Sequence, residues 1–329
     1  MKRFAILLGA MLCLAPGLAF AQAPEKYPSK PVKIIVPYAP GGATDIVARI
    51  LAEQMGRRLG QSFYVENKPG AFGIVAIEDM VRSPADGYTL MIGNVSTNAI
   101  TPIIYPEKFK IDYANDVMPI TDTVDIPAFL VATTRDFNVD SVAGLVDYAK
   151  KNPGRVRYGT VGPGSYPHYD MAYFAKRAGD LDMIAVPNKA GASGVINDML
   201  TGSTQVAFLN VASAGPQVKS GNFRPFAVVN HARLADFPDL PTMEEAGFPG
   251  VGTIAWQALF ARSGIPKELL QTIFDATVAA LHTPEASSAF KKQTFNIVPN
   301  ASLGDAKFWL SQQIDTWRKI TNEVKVETE

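Results

Sequence analysis

Three glycine-bearing segments carry the residue patterns best suited to binding chemistry. The first is Pro37-Tyr38-Ala39-Pro40-Gly41-Gly42-Ala43-Thr44-Asp45, which follows an apolar run and leads into a helical pattern. Its two glycines let the backbone bend and approach a ligand without side-chain obstruction. The amides of Gly42, Ala43, Thr44 and Asp45, at a helix start, can cradle an anion, and the Thr44 hydroxyl is expected to add one hydrogen bond. The plainer alternative is that Thr44 or Asp45 caps the helix while the glycines only make the turn. The second segment, Gly159-Thr160-Val161-Gly162-Pro163-Gly164-Ser165-Tyr166-Pro167-His168, and the third, Pro187-Asn188-Lys189-Ala190-Gly191-Ala192-Ser193, have the same form. Together they describe a cleft lined by backbone donors.

The same segments lack the marks of chemistry. None has the glycine spacing of a dinucleotide fingerprint or the Gly-Lys-Ser/Thr ending of a phosphate loop. Ser193 sits in Gly-Ala-Ser-Gly, one residue short of a nucleophile elbow. No HExxH or paired-cysteine spacing occurs, so no metal, cofactor or catalytic residue is expected, although carboxylates can hold a hard cation. His168 is the one histidine in such a loop; a packing or capping role competes with a role at the site. Tyr38, Phe72 and Tyr166 fall at the expected mouth, where they either contact a ligand or pack the loops, whereas Phe208 lies inside a strand and reads as core.

These loops need strands before them and helices after them. Val32 to Val36, a helix from near Thr44, Phe63 to Val65, a second helix and Tyr88 to Ile92 make a βαβαβ unit with a parallel sheet. The first helix places Ile46, Val47, Ile50, Leu51 and Met55 on one side and stops at Gly60. The pattern returns from 128 to 229, with strands at Ala128 to Ala132, Val156 to Thr160, Met183 to Val186, Val206 to Leu209 and Phe226 to Val229. Amphipathic helices are expected at 266 to 281, with Pro266 in the first turn, and at 302 to 322, both returning to cover the first domain. The extended segments 119 to 127 and 249 to 257 lie between the two series and read as two crossings, hence a hinge. The expected division is a first domain over 22–122, a second over 123–250, and a return over 251–329. In open α/β sheets ligands bind outside the carboxyl ends of the strands, which is where all three glycine segments fall.

With 329 residues, 47% of them hydrophobic and 19% charged, the chain has material for one large or two ordinary domains and is not of disordered composition. Lys2 and Arg3 precede an apolar run ending in Ala19-Phe20-Ala21, which reads as a signal peptide over 1–21 and implies export to the periplasm. A retained anchor is the alternative, disfavoured because Gly9, Pro16 and Gly17 interrupt the run. Cys13, the single cysteine, lies in this leader, so the mature chain has no thiol chemistry. Loss of Lys2 and Arg3 takes two from the 31 basic residues, against 31 acidic ones, for a net charge of −2. That balance argues against a nucleic-acid partner.

Four further segments stand with the first loop, Pro37 to Asp45, in an ordered set: Tyr27-Pro28-Ser29-Lys30-Pro31, Val65-Glu66-Asn67-Lys68-Pro69-Gly70-Ala71, Asp86-Gly87-Tyr88-Thr89-Leu90 and Leu240-Pro241-Thr242-Met243-Glu244-Glu245-Ala246-Gly247. Over essentially the whole mature chain, this set resembles the Bug (TctC-like) periplasmic receptors of tripartite tricarboxylate transporters. The resemblance implies an α/β two-domain Venus-flytrap fold with a two-segment hinge. It further implies a non-catalytic, monomeric receptor that holds a small carboxylate for membrane transporter subunits. It carries over Gly41, Gly42, Ala43, Thr44, Asp45 and Thr97 on one side, and Gly164, Ser165, His168, Gly191 and Asn210 on the other; Tyr38, at the expected mouth, completes the expected ligand-binding set. Phe72, Ile74, Asn98, Asn188 and Leu209 depart from the pattern and shift one wall toward apolar character, so an aromatic or longer aliphatic carboxylate is plausible. A receptor feeding a signalling protein and a secreted enzyme are the competing readings.

Overall fold

The structure, a computed structural model, describes residues 27–188 and 190–327. The expected signal peptide, with Cys13, and Lys189 of the third loop lie outside the described residues. In the first part of the chain β1 (Val32–Val36), α1 (Ala43–Leu59), β2 (Phe63–Asn67), α2 (Ile74–Arg82) and β3 (Thr89–Asn94) alternate as expected. A π-helical turn, Ser96–Ile100, runs into the short α3 (Thr101–Ile104), and α4 (Tyr113–Asp116) precedes β4 (Val117–Ile126). Then come β5 (Ala128–Thr133), α5 (Val142–Lys151), β6 (Val156–Thr160), α6 (Tyr166–Arg177), β7 (Met183–Pro187), α7 (Ala192–Thr201), β8 (Val206–Asn210), α8 (Val211–Lys219) and β9 (Phe223–Val229). The return comprises β10 (Ala255–Arg262), α9 (Lys267–Leu281), α10 (Pro284–Lys292), β11 (Asn296–Ile297) and α11 (Leu303–Glu323). Pro266 sits one place before its expected position, at the N-cap of α9 with ψ 140°.

Two sheets result, in the orders β11-β4-β10-β3-β1-β2 and β7-β6-β8-β5-β9. β1 pairs in parallel with β2 and β3, as the βαβαβ reading requires, and β6 pairs in parallel with β7 and β8. Neither sheet is wholly parallel: β10 runs antiparallel to β3 and β4, and β5 runs antiparallel to β8 and β9. These are the strands by which the chain enters each sheet from the other half.

Helices cover both faces of each sheet, so alternate strand residues belong to different cores. Val32, Ile34 and Val36 pack with α1, α9 and α10, while Ile35 packs with α2 and α11. In β5, Ala128, Leu130 and Ala132 face α5 and α6, and Phe129 and Val131 face α7 and α8. The stripe of α1 centres on Val47, Ala48, Leu51 and Met55, with Ile46 and Ile50 only partly covered. Small Ala48 and Ala52 let the helix axis sit close to the sheet. Burying a side chain such as Leu51 or Met55 contributes about 1.5–3 kcal/mol relative to exposure. Gly60, at φ 72°, donates its amide to the Gly56 carbonyl and ends α1.

The two expected crossings are largely strands rather than linkers. β4 stays in the first sheet through Ile126, past the expected boundary at 122, and the chain passes to the second sheet at Pro127. The return follows residues 250 to 254 into β10, and β4 and β10 pair along their length from Ile126↔Ala255 to Val117↔Arg262. Pro119 cannot donate to the ladder, and a register shift between Leu259 and Phe260 accommodates it within a central strand. The molecule is thus a two-domain α/β fold whose hinge consists of two adjacent chain segments.

Candidate functional site

At the carboxyl end of β1 the chain turns through Gly41, at φ 93°, and Gly42, at ψ 171°, into α1. A side chain built on either glycine would meet nothing within 4 Å. The loop is fixed from behind by Asp45, which is buried. Its Oδ2 accepts the Gly41 amide and Arg49 Nε, each at 2.9 Å, and its Oδ1 accepts Asn67 Nδ2 at 2.9 Å. Burial opposes its ionisation, but these hydrogen bonds and the Arg49 charge prevail and hold the carboxyl below its ordinary range. The buried Thr44 hydroxyl donates to Gln257 Oε1 at 2.7 Å and accepts from Asn94 Nδ2 at 3.3 Å. Its hydroxyl is thereby bonded on both sides within the protein. No side chain caps α1, so neither Thr44 nor Asp45 serves as the N-cap.

Tyr38 donates to Asn94 Oδ1 at 2.9 Å, and burial pushes its phenol up to about 12. The same Asn94 oxygen accepts the Thr97 amide at 3.2 Å, while Asn94's own amide donates to Thr97 Oγ1 at 3.1 Å. Thr97 is buried beneath the loop after β2, where a side chain on Gly73 would lie 2.4 Å from its methyl group. Asn98 is buried too, and its amide oxygen occupies the space a side chain on Gly93 would need. Between β2 and α2, Gly70, Ala71, Phe72 and Gly73 all have positive φ. For Ala71 and Phe72 that conformation costs on the order of 1–2 kcal/mol each. It turns the Phe72 ring outward, stacked on Tyr105 at 4.8 Å.

In the second domain Gly162 (φ 130°) and Gly164 (φ 67°) bend the loop after β6. Ser165, at the N-cap of α6, donates its hydroxyl to the Gly162 carbonyl at 2.7 Å and does not cap the helix. His168 is buried beside Tyr158, and its Nδ1 accepts the Gly164 amide at 3.4 Å. Burial pushes its pKa down to about 4, so the imidazole is neutral at physiological pH. It organises the loop from within. Tyr166 spans the two halves: its amide donates to Ser96 Oγ at 3.3 Å and its hydroxyl to Asn210 Oδ1 at 2.9 Å. Gly191, at φ 71°, opens α7 facing empty space; its amide donates to the Asn188 carbonyl and its carbonyl accepts the Val195 amide. Asn188 is held by Asp198 at 2.8 Å and packs over Gly194, where a side chain would lie 2.1 Å from its oxygen.

The residues singled out in the sequence thus fall into three groups. Tyr38, Thr44, Asp45 and Thr97 form one hydrogen-bonded network through Asn94 and Asn67; Gly164, Ser165 and His168 form one turn; Asn210 joins them through Tyr166. Gly191 stands apart. Asn94, Asn67, Ser96 and Gln257 were not among the expected site residues. Asn67 and Asn94 are each the last residue of a parallel strand, a position that marks them, whereas Gln257 carries no local signal.

Helices α1, α2, α6, α7 and α8, which follow β1, β2, β6, β7 and β8, have no side-chain cap. α5, α10 and α11, which do not follow parallel strands, are capped by Ser141, Thr283 and Ser302, whereas α9, which follows antiparallel β10, is uncapped as well, with Pro266 at its N-cap. At α1 and α7 the uncapped start is fronted by Gly42 and Gly191, each facing open space, which suits their first-turn amides to receiving an anion; the first amide of α6 is taken by Ser96 Oγ, and a side chain on Gly73 before α2 would meet Thr97. Among the described residues no three His, Cys, Asp or Glu side chains group as metal ligands, and no helix is long and apolar enough to cross a membrane.

The profile of the tripartite tricarboxylate transporter family receptor, TctC, matches residues 47–326. BugT of Bordetella pertussis is 29% identical over 324 residues, covering 98% of both chains. The solved structure of R. palustris Rpa4515 with adipate is 29% identical, with a TM-score of 0.81 over 91% of this chain and 99% of that one. The periplasmic binding protein BugD is 28% identical, with a TM-score of 0.78 over 92% of this chain and all of that one. On its sequence and its fold alike, the chain belongs to the Bug (TctC-like) family of periplasmic receptors.

Proposed function

We propose that the chain is an exported, non-catalytic receptor that captures a small mono- or dicarboxylate between its domains and presents it to the membrane subunits of a tripartite-type transporter. The observation that carries this reading is the pair of uncapped helix starts after β1 and β7, fronted by Gly42 and Gly191, whose missing side chains leave the cleft open. Adipate in the 29% identical R. palustris protein supports a dicarboxylate as the ligand class. The ligand carboxylate is received by the amides of Gly42 and Ala43 on one side and by the Gly164–Ser165 turn, Gly191 and Asn210 on the other. Tyr38 and Tyr166 form walls. Thr44, Asp45, Thr97 and His168 shape these loops from behind.

Reversible binding without turnover is supported by the neutral, buried state of His168, whose Nδ1 accepts the Gly164 backbone amide. Export and periplasmic residence rest on the signal-peptide pattern ending at Ala21. The test is a thermal-shift screen of the mature chain with mono- and dicarboxylates, sugars, neutral amino acids and nucleotides. Adipate-like carboxylates raise the melting temperature; at about 100 times its dissociation constant, a ligand stabilises the fold by roughly 2.7 kcal/mol. A screen in which only uncharged solutes produce a shift would overturn the reading. So would a chemically altered ligand whose formation is lost in His168→Ala.

A further inference from the structure

A second cavity, of about 490 Å³, lies at the hinge and has no part in the cleft described above. Its walls are the end of β4, the return segment 250–254, the start of β10, one face of α11 and His231, which follows β9. None of the residues assigned to the cleft lines it. In β10 the Trp256 side chain faces this cavity and α11, while neighbouring Gln257 reaches Thr44.

Two features set its chemistry. The chain's three tryptophans, Trp256, Trp309 and Trp317, all line it, with Trp256 and Trp309 edge to face at 4.8 Å. Two carboxylates, Asp122 and Asp125, line it as well, and the lining residues include no lysine or arginine. Asp122 is only 4% exposed; its Oδ1 accepts the Thr123 amide at 2.7 Å, and among the described residues no side chain or cation pairs with it. Asp125 likewise makes no ion pair among the described residues, and His231 is the basic group that faces it. A nearly buried carboxylate bordering a cavity without a cationic partner is costly to ionise unless a positive charge enters. Metal coordination does not answer this, because no three ligating side chains converge there among the described residues. Aromatic faces beside carboxylates are the pairing that retains organic ammonium groups.

We propose that the hinge cavity binds a small organic cation, an amine or quaternary ammonium with an apolar body, its charge held between Asp122 and Asp125 and its body against the tryptophans. The titratable groups facing the site are Asp122 and Asp125 on β4 and His231 from the second domain; the lining faces of α11, the return segment and the 298–300 loop contribute none. Burial pushes Asp125 up to about 6 and Asp122 well above its ordinary range, so the empty cavity keeps protons that a cation must displace. Binding therefore strengthens from pH 5.5 to pH 8.

All three tryptophans report on the site, so intrinsic fluorescence reads occupancy directly. Benzyltrimethylammonium titrated into the mature chain at pH 8 is expected to give a saturable change, confirmed by calorimetry, while neutral benzyl alcohol gives none. Asp125→Asn and Asp122→Asn each weaken binding by about tenfold or more, and lowering the pH to 5.5 weakens it in the wild type. Gly42→Val, in the cleft, leaves it unchanged. Asp125 is the more accessible carboxylate, so its variant keeps the test valid even if Asp122→Asn fails to fold. Absence of a saturable signal, an equal response to benzyl alcohol, or undiminished affinity in Asp125→Asn would overturn the proposal.

Discussion

Gly42 and Thr44 stand two residues apart and do opposite things. A side chain at Gly42 would project into open space, so nothing in the protein itself demands glycine there. Gly42→Val is therefore expected to leave the fold and melting temperature near wild type while nearly abolishing carboxylate binding, since a branched side chain would occupy the ligand's place. Calorimetry beside circular dichroism decides, and a folded Gly42→Val protein with undiminished affinity would move the carboxylate elsewhere. Thr44→Ala should show the reverse. Its hydroxyl is committed to Gln257 and Asn94, so its loss costs about 0.5–1.5 kcal/mol of stability and changes affinity little. Chemical denaturation and adipate titration of that variant check both halves of the statement. The glycine run, with its positive φ at Gly41, was legible in the sequence because only backbone freedom explains it. The partner of Thr44 was not, because Gln257 lies 213 residues away and its polar side chain has no local periodicity to mark it.

At the level of elements, strand-to-helix alternation was readable wherever apolar runs alternate with glycine-bearing turns, and β1 and β6 fall on their expected residues. β4 was not readable as a strand. Its Pro119, Thr121, Asp122 and Asp125 imitate a linker, yet nearly every position is buried because sheet and helices cover both faces. Thr121 is tied there by a specific bond, its Oγ1 accepting the Asn300 amide, while Asn300 Oδ1 accepts the backbone amide of Asp122 and leaves the Asp122 carboxylate to the cavity. The joint between α6 and the return segment is another such case: Asp170 accepts Thr253 Oγ1 at 2.6 Å and the Thr253 amide at 3.0 Å. Burial outweighs these bonds and pushes Asp170 up to about 7. The folded state thus holds a proton that the unfolded chain releases near its ordinary value of 3.8. That contribution to stability is complete below the unfolded pKa and is lost as pH rises through 7. His168 works in the other direction, because the unfolded chain takes up a proton below about 6.5 that the folded imidazole refuses until about 4. Urea denaturation at pH 5 and pH 8 isolates the Asp170 share. Relative to wild type, Asp170→Asn should gain roughly 1–3 kcal/mol between the two pH values. An unchanged difference would mean that Asp170 is ionised throughout.

For the molecule as a whole, the paired β4 and β10 carry both connections between the domains, so bending there moves one domain against the other without breaking either core. The sequence showed that two crossings exist, through Pro127 and the glycines near 250. It did not show that they lie side by side, because pairing between residues more than 100 positions apart leaves no local trace. Across the cleft, the Tyr166 amide meets Ser96 Oγ while the Tyr166 ring packs against cores of the first domain, so this residue senses the separation of the halves. A carboxylate contacting donors from both domains favours the arrangement in which those donors converge, and it can shift the equilibrium only by its differential affinity for that arrangement. Spin labels at exposed Arg58 on α1 and Lys151 on α5 report the separation from the outer surfaces. Saturating adipate should narrow the distance distribution and move it to a single value. Ser96→Ala, which removes one cross-cleft acceptor worth about 0.5–1.5 kcal/mol, should broaden the ligand-free distribution and raise the adipate concentration needed to narrow it. If adipate binds by calorimetry while the distribution stays as it was, the two domains form a fixed site, and a transporter would have to recognise the bound ligand by something other than closure.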